Sequence, residues 1–434
     1  MTRPRCLVAA VLTVSIGCGV PTQAATLIDE LRLLAEEHPR IRSNRELVGA
    51  ASEGEKRAFA GYLPTVSMQG DAGWEATDSP FRRDTAGESF RHSRKRDTLS
   101  ITQNVFDGFR TQSANASARL QRESAEIQLE SVRQQVLLEG VAGYLDVLKQ
   151  RRLVDLAQRN EANIQTQLRL EDERVSRGSG IAVDVLLAKS RLQLAKERRV
   201  AFEGGLRDAA SRYRQVYDRL PEIAGMSDPT FPAGALPGSI DDARRIGASE
   251  HPDLATSQRN IDIAGERKTS AAGGYYPRLD VVGRANYEDD VDGVPGIRRD
   301  GRVVLQATWE LFSGFGTKAE VSQAEYQRSS TLANHAFVSR KVTEEIDLAW
   351  QALETARERE GLLRNAVNIA TEVFESRKRL RAAGKDTALN VLDAENEVYN
   401  AEINLVGATY DALLAQYRVL RAVGRLSIDG IAPR

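Results

Sequence analysis

The chain has 434 residues, 41% of them hydrophobic and 28% charged, a composition that fits an ordered protein of two or more ordinary domains and excludes general disorder. Lys and Arg number 60 against 61 Asp and Glu, so the formal charge is -1 and no basic excess points to nucleic acid.

The first segment reads as a secretory signal. Arg3 and Arg5 are followed by an apolar run from Leu7 to Gly17 and by Thr22-Gln23-Ala24 before Ala25. The run is about 11 residues, short of the roughly 20 that a membrane-spanning helix needs. Residues 1–24 are therefore expected to be removed, and Cys6 and Cys18, the chain's two cysteines, leave with them. The mature chain then has no thiol for redox chemistry and no disulfide. Ser15-Ile16-Gly17-Cys18 resembles a lipoprotein cleavage box with Ser where Leu is usual, so acylation of Cys18 is the alternative to cleavage at Ala25.

Beyond the signal the chain contains two copies of one unit. Glu37-His38-Pro39 recurs as Glu250-His251-Pro252, and Gly61-Tyr62-Leu63-Pro64 as Gly274-Tyr275-Tyr276-Pro277, each 213 residues later. Further on the spacing is 206: Phe106-Asp107-Gly108-Phe109 matches Phe312-Ser313-Gly314-Phe315, Gly178 matches Gly384, and Val185-Leu186 matches Val391-Leu392. The first repeat is expected over 25–220 and the second over 240–425, with a Pro- and Gly-containing linker at 221–239 and a tail at 426–434.

Each repeat begins with a helix broken at a proline and continues with two strand-like runs. Alternation predicts strands over 65–74, 98–106, 279–287 and 302–311, each with one apolar and one polar face. In the first, Val66, Met68, Ala72 and Trp74 oppose Thr65, Ser67, Gln69 and Asp71. Aromatic residues gather at the strand ends, with Trp74, Phe106, Trp309 and Phe312 the candidates for the girdle of a membrane barrel. The charged segments Glu75 to Asp97 and Glu288 to Gly301 read as exposed extracellular loops. Four strands cannot close a membrane barrel, because an open edge in lipid leaves backbone groups unpaired. The chain must then assemble, and three copies would supply about twelve strands.

After each strand pair, stretches from about Thr111 to Arg177 and from Thr317 to Ala383 contain no proline. At about 1.5 Å per residue, helices of this length are rods of roughly 100 Å. Glycines 178 and 384 stop them, and a second helix returns antiparallel, turning near 178–184 and 384–390. In the last helix Tyr399, Ile403, Val406, Tyr410, Leu413, Tyr417 and Leu420 step by four and three, the 3.5-residue repeat of a coiled coil. The fold class is therefore mainly α with a small β portion: long antiparallel hairpins plus four transmembrane strands per protomer.

This order of elements, the Leu311-Phe312-Ser313-Gly314 junction and the series Arg381-Ala382-Ala383-Gly384 with Asn390-Val391-Leu392-Asp393-Ala394-Glu395 resemble the TolC family of outer-membrane efflux and type I secretion channels. The resemblance covers nearly all of the mature chain. It implies a homotrimer in the outer membrane, extending into the periplasm as an α-helical tunnel. It also implies a periplasmic adaptor and an inner-membrane ABC or RND transporter as partners. The pore constriction would fall at Asp393 and Asn390, with Asp184 the first-repeat equivalent. Asn390 stands where an Asp is common in the family, which reduces the acidic ring. Adaptor docking would fall at the hairpin ends, on Arg177, Gly178, Ser179, Ala383, Gly384 and Lys385. Opening would be a twist or splay of the inner helices.

Enzyme motifs are missing. His38, His92, His251 and His335 form no His/Cys metal pattern, and no phosphate loop, nucleophile elbow or zinc-protease spacing occurs. No cofactor is expected. The leading function is a passive export channel for type I protein secretion, with a multidrug or metal efflux pump as the alternative cargo system. A reading of another class is a periplasmic coiled-coil adaptor or structural rod, which has no use for four amphipathic strands.

Overall fold

The computed structural model describes residues 26–80, 83–84, 90–178, 181–232 and 234–431, so the expected signal segment with Cys18, and Ser179, lie outside the described residues. The first repeat consists of α1 (Leu27–Glu37), α2 (Pro39–Phe59), β1 (Thr65–Thr77), β2 (Phe90–Phe106), α3 (Arg110–Ser176) and α4 (Ala182–Tyr217). The second has α5 (Ile240–Glu250), α6 (Pro252–Ala272), β3 (Arg278–Val291), β4 (Val294–Thr308), α7 (Gly316–Ala382) and α8 (Ala388–Ala422), followed by a short α9 (Ile428–Ile431).

Local chemistry fixes the element ends in pairs. Thr26 and Asp29 form a reciprocal capping box at the start of α1. The duplicated His-Pro steps are helix starts: His38 Nδ1 accepts the Arg40 N–H and His251 Nδ1 accepts the Asp253 N–H, both at 3.2 Å, with Pro39 and Pro252 in the first turn. Burial holds both imidazoles below the usual histidine range, in keeping with the neutral, accepting form that a cap requires. Where β2 turns into α3, Gly108 and Phe109 are left-handed, with φ of 71° and 69°. The Asp107 carboxylate accepts from Thr111 N at 3.0 Å and from Thr111 Oγ1 at 2.6 Å, satisfying the first turn. Gly314 and Phe315 repeat the bend at φ 61° and 69°, with Ser313 Oγ taking the place of the carboxylate.

α3 and α7 are each 67 residues, rods of roughly 100 Å. Two shorter helices cover each rod end to end. Along α3, α2 is pinned by Arg40–Glu139 and Arg122–Glu55, and α4 by Arg212–Asp146 and Arg199–Glu161. Where the two cover helices meet, α1 inserts, and the main core forms around Leu31, Ile41, Leu137, Val141, Tyr144 and Tyr213, all almost fully buried. The second repeat joins this core through Tyr417 and Leu420 of α8. The segment expected to be a linker is also part of it. Met226 is buried there, Phe231 stacks edge-on against Tyr417, and Tyr144 Oη donates to the Ser227 carbonyl at 2.9 Å. Its prolines break secondary structure without releasing the chain from the core.

The two repeats solve one packing problem with opposite residues. A Cβ on Gly140 would meet Leu34 Cδ2 at 2.5 Å, whereas at the equivalent place in the second repeat a Cβ on Gly247 would meet Ile346 Cδ1 at 2.3 Å. Gly140 corresponds to Ile346 and Leu34 to Gly247, so the large and small partners have changed sides while the fit is kept.

The strands form one antiparallel sheet in the order β1-β2-β3-β4. Register sets Val66 opposite Ile101 and Met68 opposite Leu99, then Leu99 opposite Ala285 and Val281 opposite Leu305, which builds a continuous apolar face. The other face carries Ser67, Ser100 and Arg284 across the same three strands. The strands outrun their alternating stretches. The segments expected to be loops are largely strand over 90–97, 288–291 and 294–301. Their charges pair across the ladder, Arg94 with Asp71 at 2.7 Å and Arg96 with Glu288 at 3.0 Å. Cross-strand ion pairs replace the apolar alternation that sequence reading depends on. At its other end β4 stops at Thr308 rather than Leu311, so Trp309 and Phe312 follow the strand. β1 and β4 are the sheet edges.

Gly108 is the most constrained of these bends: a Cβ there would lie 2.4 Å from the Gly273 carbonyl oxygen, against rigid backbone, in a left-handed conformation. Gly108→Ala should cost about 1–3 kcal/mol, read as a lowered thermal midpoint. A midpoint equal to that of the native protein would show that this junction relaxes freely.

Candidate functional site: the hairpin ends

Each hairpin reverses on a left-handed glycine. α7 ends in a complete Schellman motif, the Gly384 N–H donating to Arg381 O and the Lys385 N–H to Leu380 O, both at 2.9 Å. Thr387 then caps α8 by accepting the Asn390 N–H at 3.3 Å. On the other hairpin Gly178 has φ 74° and its N–H donates to Val175 O at 3.0 Å. Of the residues expected to meet an adaptor, Arg177, Gly178, Ala383, Gly384 and Lys385 are all exposed at these tips, and Ser179 lies outside the described residues. Sequence reading missed an apolar patch beside them: Ile181, Val183 and Leu186 of the first hairpin are each about two-thirds exposed.

Above the tips, a belt of polar contacts ties the first hairpin to the second. Glu171 of α3 accepts from Arg381 of α7 at 2.5 Å, with both side chains largely buried. Gln167 of α3 donates to Glu395 of α8 at 2.5 Å. From α4, Arg191 donates to Asp393 at 2.6 Å, and Arg198 to Asn400 at 3.0 Å. Asp393, expected at the pore constriction, is held here in an ion pair with Arg191. Asn390 is turned to its own helix start, donating to Asp386 at 2.6 Å, and this bond is the main cause of an Asp386 carboxyl held below its usual range. Asp184, on the first turn of α4, is partly buried, and its N–H donates to Ile181 O at 3.0 Å.

Arg191, Glu171, Arg381 and Glu395 had no role assigned from sequence. One of them was detectable, because Glu395 lies four residues before Tyr399 on the stripe that runs up α8. An acid on that stripe is a buried acid. Burial raises the Glu395 carboxyl above its usual range, against the opposing donation from Gln167. Among the described residues no His, Cys, Asp and Glu cluster could hold a metal ion, and no helix is long and apolar enough to cross a membrane.

At the other end of the molecule, the expected girdle residues sit at two levels. Trp74, 84% exposed, lies opposite Ser93 near the loop end of the sheet, while Phe106, Trp309 and Phe312 lie where the strands pass into the helices. A sheet exposing apolar side chains at one end and a belted pair of long hairpins at the other is the architecture of a channel protomer. The family model for outer membrane efflux proteins matches residues 31–216 and 248–425, one stretch for each repeat. The chain belongs to this family. It is 26% identical over 427 residues to the outer membrane efflux protein BepC of Brucella suis, covering 98% of this chain and 91% of that protein. It is 22% identical to the outer membrane protein TolC of Escherichia coli K12, over 95% of this chain and 84% of TolC. The fold matches the crystal structure of the Campylobacter jejuni CmeC outer membrane channel with a TM-score of 0.79 at 15% identity, over 92% of this chain and 86% of that one. The family places this chain in the outer membrane, as part of an export channel.

Glu395 gives the belt a pH dependence. Its folded pKa is raised, so its contribution favours the folded state at low pH and is lost as pH rises through that value. Glu395→Gln keeps an acceptor for Gln167 without the charge. The variant should melt higher than the native protein at pH 7 and converge with it below the carboxylate range. A gap that is the same at both pH values would contradict this.

Proposed function

We propose that the protein is the passive outer-membrane conduit of a tripartite exporter, a homotrimer whose sheets join into one barrel of about twelve strands and whose hairpins form a periplasmic tunnel. The reading is supported above all by the open four-stranded sheet, with an apolar face and two unpaired edges, continuing into helical rods of roughly 100 Å. A lipid-facing edge without hydrogen-bond partners costs several kcal/mol per group, so such a sheet is completed by other copies. A soluble rod or adaptor would gain nothing from it.

The protein performs no chemistry in this account and draws on an inner-membrane ABC or RND transporter for energy. A periplasmic adaptor docks on the hairpin tips, where the turns at Gly178 and Gly384 and the exposed Ile181, Val183 and Leu186 offer an apolar surface edged by Arg177 and Lys385. Cargo is chosen by the transporter, for type I protein secretion or for efflux; the conduit supplies length, a polar lumen and a gate.

The gate is the inter-hairpin belt. While Arg191 holds Asp393 and Arg381 holds Glu171, the two hairpins stay together, and the Asp393 charge is offset. Adaptor engagement that parts the hairpins breaks these pairs and presents the Asp393 carboxylates to the pore, where a ring of charge selects by sign. In planar bilayers the Arg191→Ala, Arg381→Ala double variant should conduct several-fold more than the native channel without any partner. A native protein that is already fully conductive, or a variant with unchanged conductance, would rule out gating by the belt.

A further inference from the structure

The duplication allows the seam between copies to be read from the seam inside one copy. Within the protomer, repeat one meets repeat two along β2 and β3 and along α3 and α6. Phe106 and Phe109 pack edge-on against Tyr276 there, with ring centroids 6.3 and 5.9 Å away, and Gly108 lies on the Gly273 carbonyl. The spacings that relate the repeats hold in three dimensions: Thr65 opposite Thr102 becomes Arg278 opposite Thr308 when carried forward by 213 and 206 residues. The Phe106–Phe109 pair, at 5.4 Å and 86°, recurs as Phe312–Phe315 at 5.6 Å and 83°.

The second repeat therefore carries the same docking half as the first, but uncovered. Leu120 of α3 is 9% exposed and its equivalent Tyr326 on α7 is 78% exposed. Gly108 lies against backbone, whereas a Cβ on Gly314 would meet nothing within 4 Å. The matching receptor half, β1 with Ala60 to Leu63, is uncovered at the opposite edge, and Leu63 is 53% exposed.

Building on the assembly reading above, we propose that β4 of each protomer pairs antiparallel with β1 of a second copy in the register that sets Leu305 opposite Ala72 and Thr308 opposite Gln69. Phe312 and Phe315 then close on Leu63 of that copy, in the place of Tyr276. The register is the inner one carried over, Leu99 opposite Ala285 and Thr102 opposite Val282. Its chemistry agrees at three of the pairs it sets. Val303 falls opposite Trp74 on the apolar face, and Gln306 opposite Asp71 on the polar face. Arg302 falls opposite Glu75 where the inner seam has the Arg96–Glu288 pair at 3.0 Å. A slip of one residue would turn each apolar side chain against a polar one. Lower down, Gln134 donates to the Gly424 carbonyl at 2.8 Å across the inner seam. The equivalents are Arg340 and Asp218, both exposed, and Asp218 shares the left-handed backbone of Gly424. These opposite charges face each other across the outer seam.

Paired cysteines test the register, since a disulfide needs Cα atoms within about 7 Å and the diagonal neighbours in a sheet are about 7–8 Å apart. Gln69→Cys with Thr308→Cys should give covalently linked protomers on mild oxidation of the detergent-solubilised protein, and Asp71→Cys with Thr308→Cys should not. A trimer by mass that links only through the shifted pair, or through neither, overturns this seam and leaves the channel reading standing; a monomer overturns both. Asp218→Arg should lower the temperature at which the trimer dissociates, and Arg340→Asp added to it should restore the native value. Additive losses in the double variant would overturn the helical part of the seam.

Discussion

Everything in this molecule depends on the need of a lipid-exposed backbone to have all its N–H and C=O groups hydrogen-bonded within protein. Four antiparallel strands satisfy that need along three ladders and fail it along two edges. A sheet with edges at β1 and β4 is stable in a membrane only as part of a closed ring, so the proposed assembly would couple folding to closure. The exposed apolar face of Val66, Met68, Val303 and Leu305 is a solvent problem for one chain and a lipid surface for the assembly.

The helical body answers a second demand, for length. Two rods of 67 residues reach far beyond the membrane, and each is too long to be covered by one partner helix. The sequence covers it with two, and the ends of those cover helices are where Pro39, Pro252, His38 and His251 are placed. The junctions above and the turns below require left-handed backbone, which Gly108, Gly314, Gly178 and Gly384 provide at little cost. Phe109 and Phe315 take it at a cost of about 1–2 kcal/mol each, offset by the aromatic contact each makes.

Much of this was legible in the residues. Repetition at two constant spacings exposed the duplicated architecture, and the absence of proline with glycine at each end gave both rods to within a residue. The strand ends were harder to see because alternation stops where Arg94 and Arg96 begin to pair with Asp71 and Glu288, and ladder partners distant in sequence leave no local pattern. The stretch from Pro221 to Ser239 looks like a linker by composition, yet Met226 and Phe231 fill the core, since proline speaks to backbone and not to burial. At the hairpin ends the turns were visible and their electrostatics were not. That Asp393 meets Arg191 depends on which helices are neighbours, which is a property of the packed hairpins and not of either helix.

In the proposed barrel the β1 and β4 edges of each sheet are closed by other copies. Amide hydrogen exchange of the detergent-solubilised protein measures this closure directly, because an exposed edge exchanges rapidly and a paired one does not. Outward-facing amides of β1 and β4 should be protected as strongly as those of β2 and β3, which are paired within the chain. Rapid exchange confined to β1 and β4 would mean that the sheet stays open, and the closed barrel would have to be abandoned.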